Sequence, residues 1–283
     1  MLSSNGMTLP DNGTYVGKLT ESTFADLGED LTKRRFQEDG YVLFRGALPR
    51  ELVLDVREAY LRLFPEDLVR DGDRRKGEFS GHMPEGLSHH GVAGHPAYDF
   101  VRSETFRSFA DHPALRKIAE RLLGGPVERV RRTPMRHFMK GQQIASRAHV
   151  DRTYIAGNDN EVLTLWIPLG DCPVEAGGLT YLEGSHRDVS LEDISRDAAP
   201  TDRPRDRRPI THDLKWLSDA TQRRWLVADY RAGDVVAHVP GIVHASLDPL
   251  SDLMRVSTDI RFFKAGVACD PRWLRDWSAD DSY

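Results

Sequence analysis

Residues 229–263 read DYRAGDVVAHVPGIVHASLDPLSDLMRVSTDIRFF, and residues 145–155 read ASRAHVDRTYI. Both are short β-rich runs broken by Gly, Pro and Asp. Working outward, the same texture recurs in VERVRRTPMRHFM (127–139), VLTLWIPLGD (162–171) and GGLTYLEGSH (177–186). Several short strands with such punctuation predict a β-sandwich or barrel. The expected core is a jelly-roll-like, double-stranded β-helix over residues 126–264.

Upstream the texture is helical. Residues 30–38 lead through Asp39-Gly40 into the strand YVLFRGAL (41–48). From Pro49 the apolar spacing predicts a helix, with Leu52, Leu54, Val56, Tyr60 and Leu63 as its buried stripe. A second helical block is expected from Ser103 to Leu123, stopped by Gly124-Gly125. The polar, Gly-rich opening to Leu27 reads as a loosely held arm. Two irregular stretches stand out. Residues 66–98 are rich in Gly, charge and His, and read as a long surface loop, functional or mobile. Residues 187–224 are charged and Pro-bearing, and read as an insert rather than core. The expected organisation is one domain over 1–283: mainly β, with a helical elaboration over 1–125.

Composition narrows the classes. The 283 residues are 39% hydrophobic, enough to bury a real core. A net charge of −5 argues against a nucleic-acid binder. The two cysteines, Cys172 and Cys269, form no CxxC pattern and read as buried reduced thiols. No run has the length of a signal peptide or a membrane span, so the chain reads as soluble and cytoplasmic.

His149-Val150-Asp151 is the sharpest local feature. In a strand, residues two apart share a face, so this imidazole and carboxylate could hold one metal ion. Two histidines and a carboxylate on one side of iron leave positions open for a co-substrate and O2. The third ligand must come from elsewhere. His244 is the leading candidate, because Arg255 follows it by eleven residues inside an apolar strand. His238 is the alternative. A guanidinium beside His244 could grip the distal carboxylate of a keto acid by a two-pronged, charge-assisted bond.

At this point the sequence resembles the phytanoyl-CoA dioxygenase-like family of iron(II)/2-oxoglutarate oxygenases. The resemblance runs from FQEDGYVLFRGALPRELVLDVREAY (36–60) through HVD, VLTLWIPLGD, GGLTYLEGSH and GDVVAHVPGIVHASLDP to MRVSTDIRFF, roughly Phe36 to Phe263. It implies that His149, Asp151 and His244 bind Fe(II). It makes Arg255 the clamp for 2-oxoglutarate, with Ser246 as its hydrogen-bonding helper. It places Trp166 near the co-substrate, with Thr164 on the same strand face, and Arg136 or His137 within reach of it. It implies oxidation of a C–H bond with O2 while 2-oxoglutarate is decarboxylated to succinate. Related halogenases lack the carboxylate ligand, so Asp151 points to hydroxylation or to ketone, ring or alkene formation.

His186, in EGSH, matches a structural turn of the family. His82, His89 and His90 lie in the 66–98 loop and suggest solvation or substrate contact rather than a second metal. Neither irregular stretch is apolar, so the expected substrate is a small polar molecule such as a natural-product intermediate. Two rivals share the architecture. One is a cupin-like metal isomerase or hydrolase, which would need no keto-acid clamp. The other is a non-catalytic β-sandwich that binds a small molecule or carbohydrate.

Overall fold

The computed structural model describes residues 1–85, 93–155, 158–188 and 209–278. Helices α1 (Asp30–Asp39), α2 (Arg50–Leu61), α3 (Pro96–Phe100), α4 (Glu104–Ala110) and α5 (Pro113–Leu123) occupy the first half, and α6 (Leu214–Thr221) comes late. The block expected over 103–123 is two helices. Pro113 has no N–H to return to α4 and starts α5 instead. α5 buries Leu115, Ile118, Ala119 and Leu122, a stripe at helical spacing, and stops at Gly124.

The stripe of α2 also differs from expectation. It is Val53, Val56, Arg57, Tyr60 and Leu61, whereas Leu63 is exposed. Arg57 is buried because its guanidinium donates to the carbonyls of Leu169, Lys76, Gly77 and Met254. A Cβ at Gly77 would lie 2.3 Å from that guanidinium, so only glycine lets the chain pass.

Strands, numbered in chain order, form two sheets and a hairpin. The hairpin is β1 (Leu2–Ser4) with β2 (Met7–Leu9). The smaller sheet runs β12 (His244–Ser246), β9 (Leu179–Leu182), β10 (Trp225–Val227), β3 (Val16–Lys18). The larger runs β4 (Glu21–Thr23), β5 (Tyr41–Arg45), β11 (Val235–His238), β8 (Val162–Pro168), β13 (Arg255–Lys264), β6 (Val127–Arg129), and β7 (Met135–Phe138) also pairs with β13. Side chains of the two sheets meet. Tyr41 stacks on Tyr181 with ring centres 5.6 Å apart. This is the jelly roll the punctuated strands predict. β8 is buried along its whole length, because α5 packs on the larger sheet from one side and the smaller sheet closes the other.

Three irregular regions are better packed than their composition suggests. The opening segment is no loose arm. The Asp248 carboxylate accepts the backbone N–H groups of Asn5 and Gly6 at 2.8 and 2.9 Å, and the Ser4 hydroxyl donates to the Ser246 carbonyl. In the stretch read as a surface loop, Leu68, Val69 and Phe79 are buried. Within the expected insert, Ile210, Leu214 and Leu217 are buried, and Thr211 bridges to Ala148. The most charged part of that insert, 189–208, lies outside the described residues, as do His89 and His90. No helix among the described residues is long and apolar enough to cross a membrane.

Candidate metal centre and co-substrate pocket

The fold brings His149, Asp151 and His244 together, with one ligand atom from each within 4.8 Å of the others. The local geometry differs from a simple strand. His149 makes an isolated antiparallel bridge with His244, and Asp151 opens a 3-10 turn, Asp151–Thr153. The extended backbone of Val150 carries the carboxylate round to the same side.

The imidazoles are oriented for a metal. Nδ1 of His149 lies 2.6 Å from the Arg147 carbonyl, and Nδ1 of His244 lies 3.0 Å from the Ile242 carbonyl. A carbonyl only accepts, so each Nδ1 carries the proton and each Nε2 keeps its lone pair. Burial disfavours the charged form of both rings, and for His244 the neighbouring imidazoles add to it. Both are held neutral, as a metal requires. For Asp151, burial would raise the carboxyl, but the Arg261 guanidinium and the imidazoles of His238 and His244 hold it well below its ordinary value. Two neutral imidazole nitrogens and a carboxylate suit a divalent iron ion.

A second buried polar group, two residues beyond His244, gathers around Arg255. Its guanidinium is buried and sits over the Phe138 ring at 4.4 Å. Nη1 donates to Ser246 Oγ at 2.6 Å and to the Gly177 carbonyl, while Nε and Nη2 donate to Ser257 Oγ. Burial lowers its pKa to about 10, which leaves it charged at neutral pH. Both serine oxygens accept from the arginine, so their own hydroxyl hydrogens are left to donate to an anion. Trp166 adds a buried Nε1–H without a partner among the described residues. A cation, two hydroxyl donors and an orphaned indole N–H fit the carboxylate end of a keto acid. Four of the five guanidinium hydrogens are engaged within the protein, by Ser246, Ser257 and the Gly177 carbonyl.

Over residues 36–257 the sequence matches the family described as Phytanoyl-CoA dioxygenase (PhyH). The chain belongs to that family. It is 27% identical to 1-deoxypentalenic acid 11-beta-hydroxylase of Streptomyces arenae, over 93% of each chain. The Streptomyces exfoliatus enzyme of the same description is also 27% identical, over 88% of this chain and 87% of the other. Among solved structures, the non-heme alpha ketoglutarate dependent carbocyclase SnoK from nogalamycin biosynthesis has a TM-score of 0.60 at 24% identity, over 89% of this chain and 90% of the other. The epimerase SnoN in complex with Fe3+, alpha ketoglutarate and nogalamycin RO has a TM-score of 0.59 at 24% identity, over 87% of each chain. As a member of the phytanoyl-CoA dioxygenase family, the protein is an iron- and 2-oxoglutarate-dependent oxygenase, with O2 as the oxidant.

In this family member the other candidate residues fall in several places. Thr164 is buried and donates to Asp151 Oδ2 at 2.6 Å. Arg136 is ion-paired with the buried Asp259, and both groups act electrostatically on His149. His137, its sequence alternative, turns to the other face of β7, where its ring meets the Tyr60 hydroxyl at 2.7 Å. His238 is not in the ligand cluster. It stands behind Asp151, with Nε2 at 3.6 Å from Oδ2 and Nδ1 at 3.1 Å from the Tyr181 hydroxyl. His186 belongs to a turn, its Nε2 donating to the Gln37 carbonyl. His82 is exposed beside Asp67. Cys172 is buried as expected, and Cys269 only partly.

Sequence reasoning missed Ser257 and Arg261. Every second residue of β13 from Arg255 shares its face, so strand period alone points to Ser257, Asp259 and Arg261.

Proposed function

We propose that the protein oxidises a C–H bond of a small polar natural-product intermediate, with His149, Asp151 and His244 holding Fe(II). Arg255, Ser246 and Trp166 hold 2-oxoglutarate in this reading. The observation that carries it is the convergence of two Nε2 lone pairs and one carboxylate within 4.8 Å. When bound, iron and 2-oxoglutarate supply the oxidising power, O2 being consumed as 2-oxoglutarate becomes succinate and CO2.

The chain supplies orientation. The Nδ1–H bonds of His149 and His244 fix their rings, so each Nε2 is pre-aimed. Arg255 would hold the co-substrate's distal carboxylate from a fixed position, since its guanidinium is locked by Ser246, Ser257 and the Gly177 carbonyl. Substrate is then selected by whatever lies beside His149. There the wall carries the Arg136–Asp259 pair, which favours a polar group over an acyl chain. The curated relatives are hydroxylases by description, and hydroxylation is the outcome we assign.

The test is anaerobic addition of Fe(II) and 2-oxoglutarate to the metal-free protein. A weak visible charge-transfer band is expected, as iron with a chelating keto acid gives. It is expected to be lost in His149→Ala and in His244→Ala. A band of full intensity in both variants would remove these residues from the centre.

A further inference from the structure

The Asp151 carboxylate is held asymmetrically. Oδ2 accepts the Thr164 hydroxyl at 2.6 Å and lies 3.6 Å from His238 Nε2. Oδ1 faces the other way, 3.9 Å from His244 Nε2. Arg261 Nη2 spans the two oxygens at 3.2 Å from each. Asp151, Thr164 and Arg261 are all buried. Thr164 and Arg261 are directly opposed in the β8–β13 ladder, so the sheet register delivers both donors to one side of the carboxylate.

A carboxylate can grip a metal with one oxygen or with two. Two oxygens would consume a position that the co-substrate or O2 needs. Here a short hydroxyl bond occupies Oδ2, and the guanidinium blocks rotation about the carboxyl axis. Resting on the metal reading above, we propose that Thr164 and Arg261 are positioning residues that keep Asp151 a one-toothed ligand through Oδ1. The charge on Arg261 opposes a divalent ion, so its part is orientation and not attraction. Thr164 carries no charge and gives the cleaner test.

Mn(II) serves as the probe, with the full chain and no co-substrate. Free Mn(II) is counted by electron paramagnetic resonance, and metal-bound water by solvent proton relaxation. Thr164→Val keeps the side-chain shape and removes the hydroxyl. It is expected to raise the Mn(II) Kd about tenfold, as loss of a partner to a ligand does. Relaxation per bound ion is expected to fall, because Oδ2 displaces a water. Thr164→Ser restores the hydroxyl and loses a methyl, and is expected to stay within about twofold of the parent in Kd. A packing role gives the opposite order, with Val benign and Ser harmful. Arg261→Lys keeps the charge without the span, and should also lower the relaxation. Parent-like Kd and relaxation in Thr164→Val would overturn the proposal while leaving the metal reading intact. A parent chain that binds neither Mn(II) nor Fe(II) would overturn both.

Discussion

His149 and His244 exchange both backbone hydrogen bonds, N–H to carbonyl at 3.0 Å in each direction, while their rings lie 4.3 Å apart. The bridge joins a segment that belongs to neither sheet to the first residue of β12. Both rings thereby leave the backbone from one fixed pair of positions, and the Nδ1–H bonds set their tilt. The spacing of the two nitrogen donors is a property of the backbone and does not wait for an ion.

Acid should expose the cost of keeping these rings neutral. In the unfolded chain each imidazole protonates near its ordinary 6.5, whereas burial depresses both in the folded chain. Unfolding therefore takes up protons below pH 6.5. Stability of the metal-free protein falls from there toward the depressed folded values, by up to ~1.4 kcal/mol per pH unit for each ring. Asp151 is depressed from 3.8 and adds its loss only at lower pH. Thermal midpoints measured at neutral pH and about one unit below 6.5 check this against His149→Gln/His244→Gln. The drop should be smaller in the double variant; an equal drop contradicts it.

Breaking the buried pair between Asp151 and Arg261 should be costly. Asp151→Ala leaves the guanidinium without its counter-charge, and a loss of about 3–5 kcal/mol is expected in urea unfolding. Asp151→Leu/Arg261→Met removes both charges and should recover most of that loss. A double variant no more stable than Asp151→Ala would show that the pair's packing, not its charge balance, matters.

Arg255→Lys should separate co-substrate from metal. Lysine keeps a charge but loses the planar set of donors that holds Ser246 and Ser257. The KM for 2-oxoglutarate is expected to rise about 10- to 100-fold, equivalent to roughly 1.5–3 kcal/mol of charged hydrogen bonding. The Fe(II) Kd should hold. Parallel loss of both affinities would place Arg255 in the metal centre instead.

The N-terminal hairpin should loosen when Asp248 is replaced. Asp248→Ala hands the N–H groups of Asn5 and Gly6 to water, for an expected cost of about 1 kcal/mol. Hydrogen exchange at these two amides should accelerate well beyond that at β8. Unchanged protection would mean that the hairpin is held by Leu9 and the neighbouring apolar contacts alone.

Periodicity and spacing make a large part of this molecule legible from its residues alone. The β runs, the glycine stops of α1 and α5, the HxD pair and the interval from His244 to Arg255 all express local rules. The features that stay hidden depend on contacts across the fold. Arg57 is a buried cation that nothing local marks, because it covers four carbonyls of distant segments; strand period gives Arg261 its face but not the carboxylate it covers, 110 positions away. Ile210 and Thr211 sit beside a charged stretch that masks their place against Ala148. The opening to Leu27 reads as a loosely held arm because the anchors of its first residues, Ser246 and Asp248, lie near the far end of the chain. Thr164 is legible as inward-facing, but its partner is not, since strand alternation gives a face and not a contact.

One strand, β13, carries Arg255, Ser257, Asp259 and Arg261 on a single face. A one-residue insertion between Met254 and Ser257 would invert whatever lies on the near side of it, sending a guanidinium into the apolar layer under α5. Point changes can retune this enzyme gradually, but a length change in that strand is all or nothing. Variation in chemistry must therefore come from segments whose length is free to drift, outside the ladder.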